Sequence, residues 1–374
     1  MTRMKAAMRP ADEDELAEVI RVATTHFSVQ GGGTRGLEGV AAGAVLETGG
    51  IAGITLYEPG ALTLVARAGT PLAEIETALA AEGQRLPFEV PDFRAMLGRQ
   101  GESTIGGVMA ANASGPRRVQ AGAARDSLIG VRFVDGRGDV IRNGGRVMKN
   151  VTGYDLVKLM AGSRGSLGIL TEVSMKVLPA PEAQATLSLA GLDDARAVAA
   201  MSAALGSPFE VSGAAHWPGR GTFLRIEGFT ASVAYRAERL AALLAGFGRA
   251  ERIEGAGPWP EIRDAAPFAG RAGDVWRLSV KPSDAPGLIA RAGAEAHLMD
   301  WGGGLVWILT APGADLRTRL GGFSGHATRV RATDPADGIP ALHPEPPAVA
   351  ALTAGLKNRF DPRGLFNPAH AGAF

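Results

Sequence analysis

Glycine placement constrains this chain more than any other feature. Residues 31–170 hold 27 glycines in 140 positions, about 19%, and residues 171–374 hold 25 in 204, about 12%. Ordinary usage is about 7%. The surplus has no Gly-x-y period, so collagen is excluded. Glycine and proline together make 75 of 374 residues (52 and 23), about 20% and short of the roughly 25–30% of low-complexity chains. With 46% hydrophobic and 21% charged residues the chain has apolar material for a sizeable core. At about 150 residues per domain its length suggests two or three domains. The first half therefore reads as short elements joined by many tight turns.

Several function classes drop out on composition. The formal net charge is +1, so no long-range field favours nucleic acid or an anionic membrane. Zero cysteines exclude disulfides, iron–sulfur ligation, a thiol nucleophile and a cysteinyl-linked cofactor. The N-terminus turns acidic at Asp12 without an apolar stretch, which argues against a signal peptide. The run from Leu305 to Ala311 is too short to span a bilayer. A cytoplasmic location is expected. No lysine follows a glycine as in a phosphate-binding P-loop, and no serine sits in G-x-S-x-G. His26, His216, His297, His326, His343 and His370 include no pair at zinc spacing, so no metal is expected.

The periodicities predict an α+β architecture. An amphipathic helix over 12–24 starts on Asp12 and Glu15 as a capping box. Leu62, Leu64, Ala66 and Ala68 alternate as a strand, and Thr70 then reads as the cap of a helix with Pro71 at its first position. Val131–Val134 and Val140–Arg142 flank Asp-Gly-Arg-Gly-Asp as a hairpin. A helix follows at Tyr154–Ala161 and a strand at Ile169–Leu178, and Pro179 and Pro181 mark a domain boundary. Beyond it, longer helices at Asp193–Leu205 and Ser232–Ala245 alternate with strands at Thr222–Glu227, Val275–Val280 and Leu305–Thr310, reading as an antiparallel sheet. A last helix spans Pro347–Phe360, and no internal repeat is evident.

Four clusters carry the candidate chemistry. Gly31 to Gly36 formally contains G-x-G-x-x-G, but Leu37 to Gly43 is glycine-broken, and the dinucleotide fingerprint needs a helix there. Three consecutive glycines remain compatible with an anion nest, Thr34 adding a hydroxyl, or with a surface turn. The nest reading assigns Gly32 to a φ > 0 conformation that only glycine takes readily. Gly101 to Gly115 predicts a helix over Ile105–Asn112, capped by Ser103 or Thr104, with a bare Gly/Ala side and free N–H groups at its start. Close helix–sheet packing is the competing reading. Lys149 to Asp155 with Gly162 to Glu172, and the tail from Phe360 to Pro368, read by themselves as turns around short helices.

Together, Gly31 to Thr34, Thr104 to Gly107, Asn112 to Gly115, Lys149 to Asp155, Gly162 to Glu172 and Phe360 to Pro368 resemble, in that order, the vanillyl-alcohol-oxidase-type (PCMH-type) FAD flavoproteins. Within them the chain looks most like the FAD-binding subunit of bacterial glycolate oxidases. The resemblance implies a two-subdomain PCMH-type FAD-binding domain over 1–180, an α+β cap domain with an antiparallel sheet over 181–345, and a C-terminal helix and tail over 346–374 packing back on the first. It implies that Gly31, Gly32, Gly33 and Thr34 hold the FAD diphosphate, with Arg35 and Gly36 beside it. Thr104, Ile105, Gly106 and Gly107 would form the opposite wall, and Asn112, Ser114 and Gly115 the ring end. Gly168, Ile169 and Thr171 would contact the adenine or ribitol side.

Departures from the family matter as much. No histidine or cysteine lies in the flavin loops, so FAD is expected to be non-covalent. Gln30 stands where many relatives carry arginine. The H-x-G-D-G-N-x-H segment, by which relatives that oxidise 2-hydroxy acids supply a base and metal ligands, is missing beyond Ala180. No catalytic base can be named, and Lys149, Arg99 and Arg117 are the candidate cations. The resemblance thus implies an FAD-dependent oxidoreductase subunit acting on the CH–OH of glycolate or a related D-2-hydroxy acid. It would work in a complex with a second flavin subunit and an iron–sulfur subunit, without direct membrane insertion or nucleic acid, and reach the inner membrane only through partners. The alternatives are a stand-alone D-2-hydroxy-acid dehydrogenase using a histidine base, and a non-catalytic scaffold with the FAD fold.

Overall fold

The computed structural model describes residues 7–35, 43–145 and 153–367. The first helix, Glu13–Val22, begins as local chemistry dictates. Asp12 Oδ1 accepts from Glu15 N at 2.9 Å and Glu15 Oε2 accepts from Ala11 N at 2.7 Å. Its buried Leu16, Ala17 and Ile20 pack against a two-stranded parallel ribbon, Phe27–Gln30 with Ala44–Glu47. A five-stranded antiparallel sheet follows, ordered Ile54–Glu58, Thr63–Arg67, Ile169–Lys176, Leu128–Val134, Val140–Gly144. The hairpin at 135–139 is held by Asp135, whose Oδ1 accepts from Arg137 N and Asp139 N, with Gly138 at φ +86° closing the turn.

Thr70 does not cap the next helix. Leu72–Ala81 starts on Pro71, while the Thr70 hydroxyl donates to Arg67 O (2.7 Å) and accepts from Gly53 N (2.9 Å). Thr70 therefore ties the sheet edge to the preceding loop.

Residues 183–331 form an eight-stranded antiparallel sheet. Its two halves repeat one motif that the sequence pattern hides. Ala183–Leu189, helix Asp194–Leu205, Val211–Trp217, Gly221–Gly228, helix Thr230–Leu243 and Ala250–Ile253 make the first β-α-β-β-α-β unit. Asp274–Val280, helix Ala285–Ala292, Ala296–Asp300, Leu305–Thr310, helix Leu316–Leu320 and Gly325–Arg331 make the second. The halves meet edge to edge at His216 and Met299. All four helices cover one face over a core around Trp276 and Leu278, whereas Val275, Leu298, Leu305 and Trp307 face the other way. That period-two split places the charged alternates, Arg277 and Asp300, on the face turned from the helices.

Two devices join this sheet to the first half. A buried ion network has Arg225 bidentate on Glu89 (2.7 and 2.9 Å), with Glu227 Oε1 accepting from Arg85 and Arg117 at 2.7 Å each. Trp301 Nε1 donates to Gly115 O at 3.0 Å. At the C-terminus, helix Pro347–Phe360 carries Lys357, whose buried ammonium donates to Ser166 O, Asp361 Oδ2 and Phe366 O at 2.6–2.8 Å. Asn367 Oδ1 then accepts from Val29 N at 2.8 Å, and its Nδ2 donates to Arg164 O at 2.7 Å. The tail thereby fixes the two loops that carry the glycines.

Candidate flavin cleft and cavity

The glycine clusters converge on one cleft. It is lined by Val29 to Arg35 on one side, by Thr104, Gly106, Gly107, Ala110 and Ala111 on another, and by Arg164, Gly165, Gly168 and Ile169. The backbone N–H groups of Gly32, Gly33, Thr34 and Arg35 find no acceptor among the described residues. Successive free donors of this kind form an anion site. Gly33 alone of the triplet takes positive φ, at +69°. Gly32 is glycine for a different reason: a Cβ there would stand 1.5 Å from Glu102 O.

The helix Ile105–Ala110 presents Gly106, Gly107 and Ala110 to the cleft, so nothing larger than a methyl projects from it. Its N–H groups are not free, contrary to the sequence expectation. Ile105 N donates to Thr70 O, Gly106 N to Ala68 O, and Gly107 N to Thr104 Oγ1. The helix start is docked on the turn that follows the strand Thr63–Arg67, so the run of successive free donors on this cleft belongs to the 32–35 loop and not to the helix. Gly106 permits that docking, since a Cβ there would lie 2.6 Å from the Ala68 Cβ. Ile105 itself is buried beneath the wall.

Arg35 stands where the cleft opens into a second space. Its guanidinium donates to Ser103 Oγ and Pro91 O at 2.6 Å each, and burial pulls its pKa down to about 10. The second space is a cavity of about 730 Å³ between the glycine loops and the open face of the large sheet. Asn112, Ser114 and Gly115 line it, and it shares Arg35, Ala111 and Arg164 with the cleft. Asn112 Oδ1 accepts from Arg125 N, and Ser114 Oγ accepts from Ala124 N, so these side chains shape the wall.

Besides Ile105, one more of the sequence-based site residues falls elsewhere. Thr171 points away from the cleft, its hydroxyl donating to Glu13 Oε1 at 2.5 Å. Gly36 lies outside the described residues, as does Lys149. Of the other candidate cations, Arg117 is committed to Glu227 and Arg99 lines neither space.

The cavity brings in charges that sequence reasoning did not find. Arg118, Arg164 and Arg277 have neither a carboxylate nor a hydrogen-bonding side-chain partner among the described residues. Arg118 and Arg277 sit over the Trp301 ring, 4.5 and 5.1 Å from its centre. Burial, then Arg118 and Arg164, pull the Arg277 guanidinium down to about 10, with Asp300 opposing, so it stays charged at neutral pH. Asp300, at 2% exposure, accepts from Trp301 N at 2.7 Å through Oδ1 and also lines the cavity. Burial raises its pKa to about 7; the Trp301 N–H opposes this, Glu89 adds to it, and Arg225 and Arg277 oppose it. The only sequence signal was an arginine and an aspartate interrupting apolar strands.

The histidines divide by position. His216 and His297 both approach Asp194 (3.5 and 2.8 Å), and His26 Nδ1 contacts Gly364 O, all outside the cavity. His326 and His343 line it with ring centres 5.8 Å apart. His370 lies outside the described residues. Among the described residues no group of three or more His, Asp or Glu side chains is placed to hold a metal ion.

Comparison with known proteins fits this geometry. A family described as an FAD binding domain matches residues 4–144. The glycolate oxidase subunit GlcE of Escherichia coli K12 is 38% identical over 318 residues, 84% of this chain and 83% of that protein. The chain belongs to the GlcE family of FAD-binding flavoproteins. Within this oxidoreductase family, the glycolate oxidase subunit GlcD of Bacillus subtilis is 34% identical over 188 residues, 49% of this chain and 38% of that one. A D-2-hydroxyglutarate dehydrogenase of Xanthomonas citri is 32% identical over 191 residues, 48% of this chain and 38% of that one. Among solved structures, an alkyldihydroxyacetonephosphate synthase superposes with a TM-score of 0.69 at 16% identity, covering 96% of this chain and 76% of that one. That likeness shows the PCMH-type fold. Among the described residues no helix is long and apolar enough to cross a membrane.

Proposed function

We propose that this chain holds FAD non-covalently along the cleft, with the flavin ring reaching the cavity, and serves as a glycolate-oxidase-type subunit oxidising a short 2-hydroxy acid. One observation carries the reading. A loop with four N–H groups unpaired among the described residues opens directly into a cavity holding three guanidinium groups that have no carboxylate or hydrogen-bonding partner among those residues. The loop suits a diphosphate, and the guanidinium groups suit a carboxylate substrate and the electron-rich flavin edge.

In this assignment Gly31, Gly32, Gly33, Thr34 and Arg35 hold the diphosphate, Thr104, Gly106 and Gly107 form the facing wall, and Gly168 and Ile169 close the adenine side. Asn112, Ser114 and Gly115 border the ring. Residues 1–180 with the tail 346–374 form the flavin body, and 181–345 the cap. No histidine or cysteine lines the cleft among the described residues, which supports a non-covalent cofactor. FAD, when bound, supplies a two-electron acceptor for the hydrogen on the substrate carbon. The protein's own part is to bind and orient: the loop N–H groups take the diphosphate, the arginines draw the anion in, and the Trp301–Gly115 bond keeps the cap closed over the cavity.

GlcE and GlcD are both described as glycolate oxidase subunits, which supports a complex with a second flavin subunit. A chain without cysteine leaves any iron–sulfur relay to a further partner. The test is purification of the chain with its partners and mixing with glycolate and D-lactate under anaerobic conditions. A visible flavin band that bleaches on mixing is expected. A colourless chain that stays colourless after FAD is added refutes the proposal.

A further inference from the structure

The large sheet brings an acid and a base to one face of the cavity, two strands apart. In the register Asp300 stands opposite Leu305, and Leu305 opposite Ser279; one pair further on, Leu298 stands opposite Trp307, and Trp307 opposite Arg277. Residues two apart along a strand share a face, so Asp300 and Arg277 both look into the cavity, their backbones about 12 Å apart across two strand spacings and a two-residue offset. The long arm of Arg277 reaches back over Trp301, the residue next to Asp300. Asp300 Oδ1 is occupied by the Trp301 N–H, while no donor among the described residues reaches Oδ2. Asp300 is thus a buried carboxylate with one oxygen available and an unpaired guanidinium nearby.

We propose that Asp300 takes the hydroxyl proton of the substrate on Oδ2 while Arg277 holds the substrate carboxylate, so that this chain carries its own base for 2-hydroxy-acid oxidation. The inference rests on the functional reading above and deepens it. It fills the place left by the absent histidine-and-metal segment. The substrate O–H bond breaks, its proton moves to Oδ2, and its electron pair becomes the second bond of the product carbonyl. The hydrogen on carbon and its electron pair go to the two-electron acceptor already named.

A base must be deprotonated to act and close enough in pKa to receive a proton. The groups facing Asp300 are the Trp301 N–H on its own turn, Glu89 from the first half, Arg225 from the strand Gly221–Gly228, and Arg277 from the strand Asp274–Val280. Their balance with burial leaves the carboxyl at about 7. Flavin reduction should therefore speed up as the pH rises through that value. A bound carboxylate nearby adds negative charge and should draw a proton onto Asp300.

The experiment uses the flavin-loaded full chain with its partners. Oxalate serves as an unreactive probe in calorimetry run in buffers of different ionisation heat, and anaerobic stopped-flow with glycolate gives flavin reduction. The wild type should bind oxalate with proton uptake near pH 7.5. Asp300→Asn should bind oxalate at least as well without proton uptake, and should lose 100-fold or more in flavin reduction together with the pH-dependent rise. Arg277→Met should weaken oxalate binding tenfold or more while retaining flavin. An Asp300→Asn chain with wild-type reduction, pH profile and proton uptake overturns the base assignment and leaves the functional reading standing. A wild type that retains flavin but is reduced by no 2-hydroxy acid overturns both. Should Asp300→Asn fail to fold, the wild-type profile and Asp300→Glu decide. A flat rate between pH 6 and 8 sinks the proposal; a rise near 7 that Asp300→Glu shifts supports it.

Discussion

The contrast between Gly32 and Gly33 offers a sharp test of the cleft. Adding one methyl at Gly32 places a Cβ 1.5 Å from Glu102 O and 2.6 Å from the Glu102 carbonyl carbon. One of the two segments must retreat by more than an ångström. The 101–103 segment is poorly able to do so: Ser103 O accepts from Leu72 N at 2.7 Å, Ser103 Oγ from Arg35 at 2.6 Å, and Gly101 O from Arg94 at 3.0 Å. Overpacking of this kind costs about 1–3 kcal/mol. The displacement falls on the loop whose N–H groups are proposed to hold the diphosphate. A loss near the upper end, about 3 kcal/mol, corresponds to roughly 100-fold in flavin affinity.

At Gly33 the conditions are reversed. The nearest atom to a new Cβ is Gln30 Oε1 at 3.6 Å, so there is room, and the penalty is the left-handed φ of +69°. That conformation costs alanine about 1–2 kcal/mol, roughly 5- to 30-fold. Titration of apo-protein with FAD, followed by flavin fluorescence, should rank Gly32→Ala well below Gly33→Ala, and Gly33→Ala below the wild type. Equal affinities, or the reverse order, would refute the claim that the approach of Glu102 rather than backbone φ makes Gly32 essential.

Two further perturbations follow from the contacts that hold the halves together. Glu227→Ala removes the shared acceptor of Arg85 and Arg117 and leaves buried guanidinium groups facing Arg225; urea unfolding should show a loss of about 3–5 kcal/mol, and a change below 1 kcal/mol would mean that solvent reaches the network. Lys357→Met strips three carbonyl and carboxylate acceptors of their donor at a site 8% exposed; a loss of about 3 kcal/mol is expected, with faster proteolytic cleavage between residues 361 and 367, and unchanged cleavage would show that the bonds to Phe27, Asp361 and Asn367 hold the tail without Lys357.

How much of this was legible in the sequence depends on the range of the physics involved. The capping box at Asp12 and Glu15 and the bounds of the helix Asp194–Leu205 came through within a residue or two. So did the helix Pro347–Phe360 and the strand Leu305–Thr310, because each shows in a local pattern, a helix start on Pro347 and an unbroken run of buried, β-prone side chains. Thr70 went astray because its hydroxyl had a better offer from the loop at Gly53, 17 residues away. The β-α-β-β-α-β repeat was invisible because it lives in strand order and pairing, while several of its strands are short and carry no clean alternation.

The glycine surplus by itself determined that the first half is built of short elements joined by tight turns, and its clusters were visible because each is contiguous in sequence. Only the tertiary structure decided which N–H groups remain free. Docking on the turn at Ala68 and Thr70 consumes those at the start of the helix Ile105–Ala110 and leaves those of Gly32 to Arg35. Likewise, Arg117 and Arg118 are adjacent in sequence, yet one is locked to Glu227 and the other lies over Trp301 at the cavity. Asp300 and Arg277 acquire their meaning from a sheet register joined to loops more than 150 residues away. A local pattern fixes what a segment can form, but burial and partners come from packing between distant segments, and those decide which of its polar groups are left to meet a ligand.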